Sequence, residues 1–375
     1  MENCNLSILP NEVGNLISLE TLDLCYNKLH TLPDGICNLT RLKKLYLAEC
    51  DVSHLPGEIG RLISLERLVL GQNNLLTLPD SFCNLASLGY LDLEDCNLSH
   101  LPDRIGMLSS LMELNLGRNN VCSLPKSFSD LASLEDVYLC NCKRLQSLPE
   151  LPVSLRLMDA SHCTLLESIP TEFNWQAGLD MSFEGCDMLA KNNFANNVLE
   201  RIEQSLSEDK KDREWSEDSV LGENACIYLP GDDVPNWFQY QYTGSKLSLV
   251  VPPLETRRIL GCSLCVVFRA HENRGCDDYP ILTFHNKNKK SIFEILSITQ
   301  DQDKVTLFYF PSKETELFGR IHAGDEFEIE IEQSPWLTVK KCGINLIYEV
   351  NTEMPSKKKR KITDTRDSDI SSPRN

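Results

Sequence analysis

Cysteine and histidine residues clustered late in the chain have types and spacing that suggest metal chemistry. Cys262 and Cys265 form a C-x-x-C pair, and His271, Cys276 and His285 follow it, which is a combination that zinc could use. The pair, however, lies in a strongly apolar stretch that alternates like a buried strand, and no second C-x-x-C is present. We therefore predict that these cysteines are core residues and that the chain binds no metal.

Other catalytic and cofactor-binding patterns are absent from the sequence. There is no G-x-x-x-x-G-K-[ST], G-x-G-x-x-G, H-E-x-x-H or G-x-S-x-G, and the seven histidines are scattered. The net charge of −18 argues against a nucleic-acid partner, which requires a basic surface. No apolar run approaches the length of a membrane span, and the N-terminus does not resemble a signal peptide. These observations predict a binding protein rather than an enzyme, with no cofactor, no nucleic acid and no membrane partner.

Leucine spacing organises the first half of the chain. Leucines recur every 23 residues, and each opens the pattern L-x-x-L-x-L-x-x-[N/C], which is typical of a leucine-rich repeat solenoid. The pattern predicts one short strand per repeat, followed by a short helix or an irregular arc. The spacing shortens to 21 between Leu134 and Leu155. The repeating leucines are Leu19, Leu42, Leu65, Leu88, Leu111 and Leu134.

Cysteine and asparagine share one position of each repeat, which we call the ladder position. A side chain there is expected to point into the solenoid and to bond neighbouring backbone, which a thiol can do as a weak donor. Stacked in this way, the cysteines are small core residues and indicate a reducing compartment rather than a disulfide framework. The ladder residues are Cys4, Asn27, Cys50, Asn73, Cys96, Asn119, Cys142, Cys163 and Cys186.

Candidate protein-binding residues occupy the strand positions between the leucines, where side chains would face outward on the concave surface. Tyrosine and arginine often anchor protein interfaces, although most such residues in any one protein are ordinary solvated strand residues. The acidic side chains among them favour a partner with a basic patch. The candidates are Tyr26, Tyr46, Arg67, Tyr90, Asp92, Glu94, Glu113, Arg118, Asp136 and Tyr138.

The domain organisation follows from where the 23-residue period ends. We predict a solenoid over residues 1–194, a capping helix and an acidic linker over 195–224, a β-sandwich over 225–350 and a disordered basic and polar tail over 351–375. The fold class is an α/β leucine-rich repeat solenoid followed by an all-β sandwich. The predicted sandwich strands are Lys246–Val251, Leu260–Phe268, Ile281–Phe284, Phe293–Ile298, Val305–Phe310, Glu326–Glu332 and Gly343–Glu349.

Four segments of the chain share a resemblance, namely Leu55–Leu62, Phe183–Leu189, Tyr228–Phe238 and Leu260–Cys265. They resemble the plant intracellular immune receptors, which combine a TIR domain, an NB-ARC nucleotide switch and leucine-rich repeats. Leu55–Leu62 is similar to the repeats of that family, and Phe183–Leu189 resembles the way its arrays end. Tyr228–Gly231 with Val234–Phe238 resembles the opening of its post-repeat jelly-roll or immunoglobulin-like domain, and Leu260–Cys265 a core strand of that domain. The motif residues are Leu229, Pro230, Gly231, Pro235, Trp237 and Phe238. We expect Trp237 and Phe238 to pack in the core or against the repeats.

The resemblance implies a recognition module in plant innate immunity. Its partner would be a pathogen effector protein or a guarded host protein, bound by the concave face and the sandwich together. Since no TIR or NB-ARC sequence is present, such domains of a related receptor could act as partners in trans. The repeat array starts mid-unit at Cys4, so we expect a fragment, a truncated product or an incorrectly assigned gene start.

An alternative is a secreted leucine-rich repeat inhibitor of a microbial enzyme. Three N-x-[ST] sequons, at Asn5, Asn38 and Asn97, favour it, whereas the ladder thiols and the missing signal peptide oppose it.

A basic run near the C-terminus bears on the compartment. It matches a nuclear-import patch and could equally be a solvated charge run, so we expect the cytoplasm, the nucleus or both. Its residues are Lys357, Lys358, Lys359, Arg360 and Lys361.

Overall fold

The computed structural model describes eleven segments of the chain, and the fold below refers to them. These are residues 2–170, 179–191, 225–230, 233–236, 238–252, 259–270, 281–288, 291–296, 305–311, 324–331 and 337–348. The predicted capping helix and acidic linker over 195–224, the predicted tail over 351–375, His271 and Cys276 lie outside them. Within these segments, no helix is long and apolar enough to cross a membrane.

Eight short parallel strands form the spine of the solenoid, one per repeat. Each is three residues long. Its central residue points into the core, and the residues on either side point out. Neighbouring strands pair in chain order, so equivalent residues of successive repeats lie side by side. The strands are β1 (Thr21–Asp23), β2 (Lys44–Tyr46), β3 (Arg67–Val69), β4 (Tyr90–Asp92), β5 (Glu113–Asn115), β6 (Asp136–Tyr138), β7 (Leu157–Asp159) and β8 (Asp180–Ser182).

Short 3₁₀ helices return the chain along the outer side, where the sequence predicts a short helix or an irregular arc. Several begin after a proline in extended conformation, such as Pro33 and Pro79, which has no N–H to leave unpaired. Their apolar residues, such as Phe82 and Phe128, fill the core behind the strands. The 3₁₀ helices are Asn11–Asn15, Asp34–Asn38, Ile59–Arg61, Asp80–Asn84, Ile105–Met107 and Lys126–Asp130. An α-helix, α1 (Asp187–Lys191), follows β8.

Nine further strands form the predicted β-sandwich. Seven correspond to the predicted strands with shifted ends, whereas β9 and β10 were not predicted. Side chains alternate along them; in β16 the phenylalanine and isoleucines are buried and the glutamates lie outward. The strands are β9 (Ala225–Leu229), β10 (Tyr240–Thr243), β11 (Lys246–Val250), β12 (Ile259–Ala270), β13 (Ile281–Asn286), β14 (Ser291–Leu296), β15 (Val305–Pro311), β16 (Glu326–Ile331) and β17 (Leu337–Tyr348).

The solenoid and the sandwich share one continuous sheet. Strand β9 pairs in parallel with β8, so that Met181 lies beside Ile227 and Ser182 beside Tyr228. The sheet then continues in the order β9-β15-β12-β17-β10, while β11-β16-β13-β14 forms the second sheet. The last strand of the solenoid is therefore covered by β9, and the sandwich is an extension of the repeat array rather than a separate body.

The two faces of this sheet keep their roles across the junction. Ile227 and Leu229 belong to the same buried cluster as the repeat leucines. Cys226 and Tyr228, in register with the outward residues of β8, instead belong to the core between the two sandwich sheets. The second sheet of the sandwich thus stacks on the side of the sheet that carries the concave face.

The segment before β10 packs on the opposite side of the sheet. Val234 and Phe238 are buried in the cluster that continues the solenoid core, and the N–H of Phe238 donates to Pro235 O at 3.1 Å. Gly343 lies so close to both side chains that a Cβ there would collide with Val234. Phe238 therefore packs in the core next to the repeats, as predicted, while Trp237 and Gly231 lie outside the described residues.

Candidate functional site

The concave strip consists of two rows of side chains on β2 to β6, the first and third residues of each strand. Parallel pairing places neighbours in a row about 4.8 Å apart. The strip joins seven of the predicted candidates to residues that lie in register with them. The first row is Lys44, Arg67, Tyr90, Glu113 and Asp136, and the second is Tyr46, Val69, Asp92, Asn115 and Tyr138.

Arg67 and Tyr90 form the most specific contact of the strip. The guanidinium carbon of Arg67 lies 3.8 Å from the centre of the Tyr90 ring, which is a cation–π contact between neighbouring strands. Such a contact is worth about 0.5–1 kcal/mol at an exposed site. The contact places an arginine next to a tyrosine, and these two residue types often dominate the energetics of protein interfaces.

Acidic side chains surround this pair and repel one another. Burial raises the pKa of Asp92, and the charge of Glu94 raises it further. Burial also raises the pKa of Glu113, with Asp136 adding to the effect. The same two causes raise the pKa of the Tyr90 hydroxyl, with the charges of Asp92 and Glu113 acting after burial. A cation brought to this region would relieve these repulsions.

Three of the predicted binding residues lie beyond the strands. Tyr26 and Arg118 occupy the turn before the ladder position, where both have positive φ, 58° and 59°, and they belong to neither row. Glu94 follows β4, and its Oε1 pairs with Nε of Arg118 at 3.3 Å. The prediction placed them all on outward strand positions, which is wrong because each strand ends after three residues.

Asparagines at the ladder position bridge successive coils. Asn73 donates from Nδ2 to Leu47 O at 2.8 Å and to Leu70 O at 2.6 Å. Its Oδ1 accepts from the backbone N–H of Cys50 and of Val52 in the preceding repeat, at 3.2 and 2.8 Å. One buried amide therefore satisfies backbone groups on two coils, as the prediction for this position required.

Ladder cysteines reproduce only the hydrogen bonds that the asparagine donates and not those that it accepts. Cys96 Sγ donates to Leu70 O at 3.1 Å, and Cys142 Sγ to Leu116 O at 3.2 Å. Burial raises the pKa of Cys96 to about 12 and that of Cys142 to about 11. Cys4 differs from the prediction, since it is exposed and donates to Glu2 O within its own turn.

Cys262 and Cys265 do not form a joint site. Both are buried in β12, but Cys262 belongs to the core between the sandwich sheets and Cys265 to the cluster continuous with the solenoid. Residues three apart on a strand point to opposite faces, so the two thiols cannot share a ligand. Among the described residues, no group of three His, Cys, Asp or Glu side chains could hold a metal ion.

The comparison with known proteins follows the two parts of the fold. Family models match a leucine-rich repeat region at residues 1–77, a leucine-rich repeat at 90–143 and a C-JID domain at 229–353. A leucine-rich repeat protein of Leptospira interrogans is 27% identical with a TM-score of 0.32, covering 48% of this chain and 58% of that chain.

Curated relatives come from Arabidopsis thaliana. Disease resistance protein RPS4 is 29% identical over 135 residues, which are 34% of this chain and 11% of that protein. Disease resistance protein RPP2B is 31% identical over 143 residues, 36% of this chain and 12% of that protein. The matches thus span about a tenth of the length of these relatives. The chain therefore consists of leucine-rich repeats and a C-JID domain, and it is similar to a part of plant disease resistance proteins.

Proposed function

We propose that this chain is a protein-recognition module in plant defence and that the concave strip binds its partner. The observation that carries the proposal is the Arg67–Tyr90 stack, which lies among carboxylates that repel one another. A preformed aromatic and arginine pair needs little ordering on binding, so it can serve as an anchor.

The chemistry of the strip selects the partner. Asp92, Glu113 and Asp136 give its centre a negative potential, which favours a protein that presents lysine or arginine side chains there. By the relationship to disease resistance proteins, the partner is a pathogen effector or a host protein that such an effector modifies. The second sandwich sheet stacks on the same side as the strip, so one partner can touch both.

A signalling role would need further domains. Effector binding could shift a nucleotide switch between two states only if that switch is supplied, in the same chain or by a related receptor in trans. We propose that NB-ARC or TIR domains are such partners, and that the complex forms in the cytoplasm or the nucleus.

A binding screen with a matched variant tests the function. The full chain and its Tyr46→Ala/Tyr90→Ala variant are screened against a library of proteins secreted by plant pathogens. The control variant Ile63→Ala/Met107→Ala removes two exposed apolar side chains from the outer arcs. We expect partners that bind the wild type and the control but lose binding to the tyrosine variant. Partners that bind all three proteins equally would contradict the role of the strip.

A further inference from the structure

A polar cavity of about 380 Å³ opens at the rim beside the concave strip. Its lining combines two cationic side chains with three amides and includes no carboxylate, which is unusual in a chain with a net charge of −18. The lining residues are Arg118, Asn119, Asn120, Asn141 and Lys143.

The cavity lies where the repeat changes its length. Val121 is the next buried residue two positions after the ladder residue Asn119, whereas Leu145 is the next buried residue three positions after Cys142. The second turn is therefore one residue longer than the first, and the two turns no longer superimpose.

The backbone hydrogen bonds also differ between the two turns. The N–H of Asn120 donates to Leu98 O at 2.9 Å, and this bond holds the turn against the preceding coil. The N–H of Lys143 instead donates to Asn141 O within its own turn, also at 2.9 Å. Asn141 itself has a φ of 60°. The turn at Lys143 thus stands away from the turn at Asn120, and the space between them is the cavity.

Both cations of the cavity retain donors that could bind a ligand. Glu94 contacts Arg118 through Nε, from the side of the concave strip, and Arg118 has no second ion-pair partner among the described residues. Lys143 has no carboxylate within 4 Å in the described part of the chain. Glu94 therefore offsets part of the charge of Arg118.

We propose that this cavity binds a single oxyanion, a carboxylate or a phosphate monoester, presented by the partner protein. Guanidinium and ammonium donors form short, strong hydrogen bonds to such groups. The side-chain amides of Asn120 and Asn141 can complete the coordination, whereas Nδ2 of Asn119 already donates to backbone carbonyls. The identity of the biological ligand depends on the proposed recognition function, whereas the existence of the anion site does not. A partner with a basic patch flanked by an acidic or phosphorylated side chain would fit both surfaces, and the opposite charges would fix its position along the strip.

Nuclear magnetic resonance of the full chain alone tests the site. Asparagine labelled with ¹⁵N reports on the side-chain amides of Asn120 and Asn141, assigned by Asn→Gln substitution. The protein is titrated with inorganic phosphate and, separately, with acetate, at constant ionic strength and pH. The test variant is Arg118→Gln/Lys143→Gln, and the control Arg104→Gln/Lys126→Gln removes two exposed cations from the outer arcs.

We expect saturable shifts of both amides with phosphate, acetate or both, and affinity weaker by about tenfold or more in the test variant. Binding of phosphate alone assigns a phosphate monoester, and binding of acetate assigns a carboxylate. Shifts absent with both anions, or affinities equal in the test and control variants, would overturn the proposal. Because this titration uses no partner, its outcome is independent of the screen with the tyrosine variant.

Discussion

At the scale of single residues, the ladder position separates two side chains that the sequence treats as equivalent. Asn73 bonds five backbone groups on two coils, whereas Cys96 donates to Leu70 O, which also accepts from Asn73 Nδ2. The repeat pattern predicts that both point inward, but it cannot predict how many partners each has, because that depends on the coil before it.

Substitution by alanine should therefore cost more at Asn73 than at Cys96. Asn73→Ala leaves the N–H groups of Cys50 and Val52 buried without this acceptor, and we expect the free energy of unfolding to fall by about 3 kcal/mol. Cys96→Ala loses one weak donor and should cost about 1 kcal/mol. Urea denaturation of the full chain measures both, and an equal or larger loss for Cys96→Ala would show that the ladder asymmetry is wrong.

Ladder thiols should also resist alkylation in the folded chain. Burial raises the pKa of Cys96 to about 12 and of Cys186 to about 12, so almost no thiolate is present at pH 8. We expect iodoacetamide to modify exposed Cys4 in the native protein, and to modify Cys96 and Cys186 only after unfolding in urea. Peptide mass spectrometry reads each site. Rapid native modification of Cys96 would mean that the solenoid opens far more readily than its packing indicates.

At the scale of elements, the junction of β8 with β9 is the feature that the sequence does not reveal. Ala225–Leu229 lies outside the 23-residue period, so nothing in the spacing links it to the repeats. Its alternation is nevertheless split between two cores: Ile227 continues the solenoid, and Tyr228 faces the second sandwich sheet. The sandwich strands themselves were predictable because their apolar residues alternate locally, whereas long-range pairing of strands leaves no local signal.

Asp180 makes this junction sensitive to pH. It lies beside Cys226, whose N–H donates to Oδ1 at 3.2 Å, yet burial prevails and raises the pKa of Asp180 from 3.8 to about 6. Between these two values the folded state binds more protons than the unfolded state, so stability falls as pH rises through this window and levels off above it.

The substitution Asp180→Asn should remove this dependence. Asparagine can still accept the Cys226 N–H but carries no buried charge, so we expect the midpoint of thermal unfolding at pH 7.5 to rise by about 2 °C or more. The contribution of Asp180 to the decline between pH 4 and 6 should disappear. The exposed residue Asp130 offers the control Asp130→Asn, which should change neither quantity. A lower midpoint for Asp180→Asn at pH 7.5 would contradict the assignment of burial as the dominant cause.

At the scale of the whole molecule, one sheet runs from the first repeat to the end of the sandwich. The concave strip and the second sandwich sheet lie on the same side of it, so a recognition surface can extend from one to the other. The sequence predicted the two parts and the tyrosines, arginine and carboxylates between the leucines. It could not predict the Arg67–Tyr90 stack or the cavity at Lys143, because each arises from neighbouring coils rather than from one repeat.

Side-chain footprinting of a complex tests the central claim, that the concave strip is the recognition surface, most directly. The full chain is exposed to hydroxyl radicals with and without a partner obtained from the secreted-protein screen, and oxidation is measured at each tyrosine and methionine. We predict that the partner protects Tyr46, Tyr90 and Tyr138 from oxidation, while Met107 on an outer arc keeps its free rate. Protection of Met107 with unchanged oxidation of the three tyrosines would place the partner on the outer arcs and contradict the account.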